Sequence, residues 1–133
     1  MEIRTYDCFE EAEILPLYAD AGWTNYTSRP DMLRAAYEHS LCVLAAYEDG
    51  RLAGIIRAVG DGASILYIQD LLVFEKFQRR GIGTRLMQEM MRRYPEVYQL
   101  VLLTDDTETT AAFYRSLGLT AAEDCSCRAF LKM

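Results

Sequence analysis

The sequence predicts an α+β fold: a mixed central sheet, built as an antiparallel meander followed by helix, strand, helix and strand, and flanked by helices. Three observations carry that expectation. Apolar runs before, between and after Asp49-Gly50 and Asp61-Gly62 are separated only by those short turns, which reads as consecutive hairpins. Leu86, Met87, Met90, Met91 and Tyr94 then recur at helical spacing. Val97 to Leu103 is almost continuously apolar, the mark of a strand covered on both faces. With 133 residues and no linker, repeat or low-complexity run, a single domain spanning residues 1–133 is expected.

Taken in order, Ile3 to Tyr6 reads as a short first strand. Phe9 to Ala19 reads as a helix, with Ile14, Leu15, Leu17 and Tyr18 apolar and Pro16 an irregularity inside it. Ala21 to Thr27 reads as an aromatic-rich loop. Ser28 is the expected N-cap of the next helix, with Pro30 in its first turn and Asp31 near its positive end. That helix ends near His39, which reads as a capping or surface residue. Strands follow at Leu41 to Tyr47, Leu52 to Val59 and Ser64 to Val73. A helix from about Gly81 to Tyr94 comes next, its methionines filling core, and Pro95 ends it. After the strand at Val97, Asp106 or Thr107 caps a helix through Leu117, and Gly118 is its C-terminal stop. A last strand is expected over Cys125 to Lys132.

The net charge is −6, which opposes a general role in gripping nucleic acid. The distribution says more than the sum. Lys76, Arg79, Arg80, Arg85, Arg92 and Arg93 face only Glu75 and Glu89 within one short stretch, a positive island suited to a compact polyanion. No run approaches the roughly 18 apolar residues of a membrane span. The first residues lack the layout of a signal peptide, so a soluble cytoplasmic protein is expected. Four cysteines are too few and too irregular for a disulfide framework. Cys125 and Cys127 would share one face of the last strand. With His39 the sole histidine, no metal site is expected.

The chemistry points to Gln78-Arg79-Arg80-Gly81-Ile82-Gly83-Thr84. Unpaired backbone N–H groups at a helix start attract anions, and the helix dipole adds to that. Gly81 and Gly83 carry no side chains to fend off a phosphate. The amides of Arg79, Arg80, Gly81, Ile82, Gly83 and Thr84 therefore suit a pyrophosphate. A P-loop would need a lysine after the glycines, and a Rossmann fingerprint a third glycine where Met87 stands.

Asp70 to Thr84 resembles the signature of the GNAT acetyltransferases: a strand, a short loop, then Q/R-x-x-G-x-G/A opening a helix. Phe113-Tyr114-Arg115-Ser116-Leu117-Gly118 matches the family's second phrase, in the right order and with a strand between. The resemblance implies acetyl-CoA as co-substrate, its pantetheine arm paired with main-chain groups of Leu71, Leu72 and Val73. It implies that Tyr114 protonates the departing thiolate. It also places Tyr67 and Gln69 toward the acceptor, where many members carry a Glu or His base. Neither is a good base at neutral pH, and Asp70 falls on the opposite face of a regular strand unless a bulge re-aims it. Thr107 stands where many members carry a cofactor-binding asparagine.

Trp23 and Tyr26 lie where the fold roofs its acceptor, and Gly22-Trp23-x-x-Tyr26 resembles small bacterial and plant-type members similar to arylalkylamine (serotonin-like) acetyltransferases. Aromatic rings there suit an apolar or cationic amine. The resemblance thus implies acetyl transfer to a small-molecule amine in a ternary complex. A non-catalytic CoA-binding sensor or partner module is the alternative from another class, and a protein amine is the alternative acceptor. No nucleic-acid or membrane partner is expected. A homodimer is, with the exposed C-terminal strand offering an edge.

Overall fold

A computed structural model describes all 133 residues as two compact units, Met1–Leu103 and Thr104–Met133. The first holds five strands: β1 (Glu2–Thr5), β2 (Cys42–Glu48), β3 (Arg51–Gly60), β4 (Ile65–Val73) and β5 (Gln99–Leu102). They form one sheet in the order β1-β2-β3-β4-β5. All neighbours are antiparallel except β4 and β5, which are parallel. Around the sheet run α1 (Glu11–Asp20), α2 (Thr24–Thr27), α3 (Pro30–Glu38) and α4 (Ile82–Arg93). No helix is long and apolar enough to cross a membrane.

The meander forms because both turns have the right chemistry. Asp49 and Gly50 take φ of 50° and 78°, the geometry of a type I′ hairpin. At the second turn, Asp61 Oδ1 accepts from the amides of Ala63, Ser64 and Ile65 at 2.7–3.1 Å. Alternation along the strands then divides two buried layers. Val43, Ala45, Leu52, Ile55 and Leu72 pack with Ile14, Leu17 and Tyr18 of α1 and Leu33 and Tyr37 of α3. The alternate residues Leu44, Ala46, Ile56 and Ala58 are equally buried, as are Ile82, Leu86, Met87 and Met90 of α4, the helix that packs across β2, β3 and β4. Met87 and Met90 are core, as their spacing suggests, whereas Met91 is only half-buried.

Several expectations are corrected. The aromatic loop contains a helical turn, α2. Ser28 is not the cap of α3: the N-cap is Arg29, with no side-chain cap bond, and Pro30 itself starts the helix. β5 is not covered on both faces. It is a four-residue edge strand whose Leu100 and Leu102 are half-buried while Val101 is exposed, so an apolar run here marks one covered face.

The second unit holds α5 (Glu108–Ser116) and a 3-10 turn at Ala122–Cys125. Thr107 caps α5, its Oγ1 accepting from Thr110 N at 3.2 Å, and Gly118 ends the helical segment with φ 87°. The expected strand over Cys125 to Lys132 is absent, and Cys125 and Cys127 are exposed free thiols. Local pattern alone does not make a strand. Phe130 and Leu131 are 87% and 67% exposed, so no neighbour supplies the ladder bonds that hold one together.

Candidate active site

The start of α4 is built to receive an anion. Arg79 and Gly81 both adopt left-handed backbone, with φ of 63° and 78°. For arginine that conformation costs about 1–2 kcal/mol, whereas glycine takes it freely. A Cβ at Gly81 would meet nothing within 4 Å, so it is the backbone turn, not crowding, that calls for glycine. No side chain caps α4 and no acidic residue lies in its first turn. The first amide of the helix with an acceptor in the chain is Arg85 N–H, bonded to Gly81 O at 3.0 Å. The amides of Ile82, Gly83 and Thr84 are left to donate outward at the positive helix end, the arrangement that binds phosphate. Arg79 and Arg80 are exposed beside it, and the Arg80 guanidinium lies 5.4 Å from the Phe77 ring centre. These residues fit a pyrophosphate.

The strand leading into this loop has a free edge. β4 pairs with β5 only from Ile65 to Ile68, while its pairing with β3 continues to Val73. From Gln69 onward the other edge of β4 has no strand beside it. Phe74 N–H donates to Ala53 O at 2.9 Å, and hydrogen-bonded pairs alternate along an antiparallel ladder. Leu72 therefore directs its polar groups at β3, while Leu71 and Val73 turn theirs to the open edge. Val73 O already accepts from Gln78 Nε2 at 3.1 Å, which ties the loop to the strand.

A bulge decides what faces α1 and α3. Arg57 is paired with Asp70 but Ala58 with Ile68, so Gln69 is the extra residue. Without it Asp70 would share the face of Ile68. Instead it joins Arg57 beneath the helices, and both are buried, at 1% and 4% exposure. Arg57 Nε donates to Asp70 Oδ2 at 2.7 Å and the Tyr18 hydroxyl donates to the same oxygen at 2.6 Å. That uses the only proton of Tyr18, so across the 3.1 Å contact between the two hydroxyls Tyr37 is the donor. Asp70 Oδ1 is buried without a partner. Burial raises the Tyr18 phenol far above its ordinary value, and Tyr37 and Asp70 add to that. For Arg57 burial pulls down, yet the Asp70 carboxylate more than offsets it.

The predicted acceptor residues gather on this network. Tyr18 lies 5.2 Å from Tyr26 and 6.0 Å from Trp23 between ring centres, and Trp23 and Tyr26 are 6.0 Å apart. Gln69 Nε2 donates to the Tyr26 hydroxyl at 3.3 Å. Tyr67 pairs with Val59 and is half-buried; burial first, then Tyr26 and Asp70, raise its phenol. Thr107 and Tyr114 belong to the second unit. The Thr107 hydroxyl is engaged as the cap of α5, and Tyr114 is half-buried and lies 4.9 Å from Phe113 between ring centres. His39 closes α3, its Nδ1 2.8 Å from Ala35 O.

Arg57, Tyr18 and Tyr37 escaped the sequence reading. A signal was present: Arg57 and Asp70 are single opposite charges inside two strands that otherwise read as core. Charges in such places are buried only when paired.

Comparison with known proteins agrees with this geometry. Residues 5–119 match the Acetyltransferase (GNAT) family. A GNAT-family acetyltransferase of Streptococcus pneumoniae is 36% identical, with TM-score 0.91 over 99% of this chain and 96% of that one. An aminoglycoside acetyltransferase from an uncultured soil sample shares the fold, at 24% identity and TM-score 0.73 over 99% and 96%. The PanD regulatory factor of Salmonella typhimurium is 33% identical over 85 residues. That match spans 62% of this chain and 66% of the relative.

Proposed function

Because the chain belongs to the Acetyltransferase (GNAT) family, we propose that it transfers an acetyl group from acetyl-CoA to the amine of a small acceptor. The observation that carries this is the uncapped N-terminus of α4 beside the unpaired edge of β4. The first supplies donors for the pyrophosphate and the second a strand edge for the pantetheine arm. Acetyl-CoA brings the activated acyl group. The acceptor nitrogen forms the new N–C bond as the C–S bond breaks, and it gives up its own proton to solvent. Tyr114 is assigned the proton that the departing sulfur takes up. Trp23, Tyr26, Tyr67 and Gln69 are assigned to the acceptor, whose cationic or aromatic group suits their rings.

A second reading, a CoA-binding partner module that regulates another protein, draws support from the likeness to the PanD regulatory factor. The homodimer loses its first support, since no C-terminal strand forms; β5, at the margin of the sheet, supplies the edge instead.

Calorimetry tests the cofactor assignment. Gly83→Glu places a carboxylate at the mouth of the α4 dipole, and acetyl-CoA affinity should fall at least tenfold, about 1.4 kcal/mol. Unchanged affinity in a folded variant sinks the phosphate-loop assignment.

A further inference from the structure

The Arg57–Asp70 pair has no task in the reaction proposed above, yet it sits beneath the residues assigned to the acceptor. Resting on that reading, we infer that Asp70 is a positioning residue: it holds the Tyr18 hydroxyl and so fixes where the Trp23–Tyr26 aromatic layer stands.

Four observations lead there. The bulge at Gln69 is what turns Asp70 toward α1, so the carboxylate meets Tyr18 only because β4 departs from regular geometry. The same bulge supplies two tethers to one layer. Asp70 grips Tyr18 at 2.6 Å and Gln69 reaches Tyr26 at 3.3 Å, and the rings of those tyrosines lie 5.2 Å apart. Arg57 restrains the hub from a second strand and a second helix region, bonding Asp70 Oδ2 at 2.7 Å and Ser40 Oγ at 3.3 Å. Finally, the network is a poor device for stability alone. Asp70 Oδ1 is buried with no donor, and a buried ion pair is commonly matched or surpassed by apolar side chains of similar volume. What apolar side chains cannot supply is a directed bond to the Tyr18 hydroxyl.

Replacing both partners separates a positioning role from a structural one. Trp23 is the only tryptophan, so its emission reports on the layer without any assay of activity. In Arg57→Met/Asp70→Leu the melting temperature should hold or rise and acetyl-CoA affinity should stay within about twofold. Trp23 emission should shift and acceptor KM should rise about tenfold or more, with a smaller fall in kcat. Tyr18→Phe, which removes one hydroxyl, should move emission and KM the same way by a lesser amount, and it keeps the test decisive if the double variant does not fold. Unchanged emission and KM in a folded variant overturn the inference. Lost acetyl-CoA affinity overturns it too, because the network would then serve the cofactor strand. Should wild type acetylate no amine, the proposed reaction fails, and emission alone decides whether Asp70 positions the layer.

Discussion

Tyr114 keeps its proton at neutral pH: burial raises the phenol above its ordinary value, Thr104 opposes that shift, and Asp105 adds to it. A retained proton is what a donor to a departing sulfur requires. Tyr114→Phe preserves the ring and its edge contact with Phe113, so the fold should survive while the donor is lost. General acid catalysis is typically worth ~10²–10⁴ in rate, and water replaces part of it. We expect kcat to fall roughly ten- to a thousandfold with acetyl-CoA affinity little changed. Wild-type kcat, measured where chemistry limits turnover, removes Tyr114 from the reaction. Thr107 carries a different lesson at this scale. Its hydroxyl accepts from Thr110 N and lies 2.8 Å from the Thr110 hydroxyl, the N-cap role that its position before α5 predicts, while its contact with the cofactor is a proposal.

Among the elements, β4 gathers both proposed binding surfaces, and its neighbour holds it in place closely. Gly54 of β3 has no room for a side chain: a Cβ there would lie 2.5 Å from Leu72 O and 3.2 Å from Val73 Cα. Both are backbone atoms, so they give way only if the strand moves. Gly54→Ala should therefore destabilise the fold by about 1–3 kcal/mol, the usual cost of overpacking, and weaken acetyl-CoA binding by displacing the open edge at Leu71 and Val73. A melting curve and a titration on the same sample check both. If affinity holds while stability drops, the edge of β4 does not contact the cofactor. Much of this layer was legible in the sequence. The turns at Asp49-Gly50 and Asp61-Gly62 set the meander, and Met87 and Met90 announced the buried side of α4. The bulge was not legible, because Ile65–Val73 reads equally well as one regular alternating strand, and nothing in its residues marks Gln69 as the point where the alternation breaks and Asp70 changes face. The face of Asp70, and with it Arg57 and Tyr18, therefore stayed hidden. Residues 125–132 failed for the opposite reason: they have the composition of a strand, but a strand exists only with a partner.

For the molecule as a whole, net charge and local charge act in different places. The chain is acidic, at −6, while Lys76, Arg79, Arg80 and Arg85 surround the start of α4. Surface charges of that kind steer a polyanion and are screened by salt over about 10 Å at 0.1 M. The family supplies the reaction class, and the site supplies reasons to expect it here: free amides at α4, a free edge on β4, and an aromatic layer tied to the bulge. Those parts support the proposal that acetyl-CoA and an amine react on this protein. The most direct test is amine-dependent release of CoA thiol from acetyl-CoA by the purified chain, across aromatic, aliphatic and polycationic amines. The account predicts release that saturates with at least one amine and, at subsaturating acetyl-CoA, falls at least tenfold in Gly83→Glu. Tight acetyl-CoA binding with no amine-dependent release from any of them would contradict it.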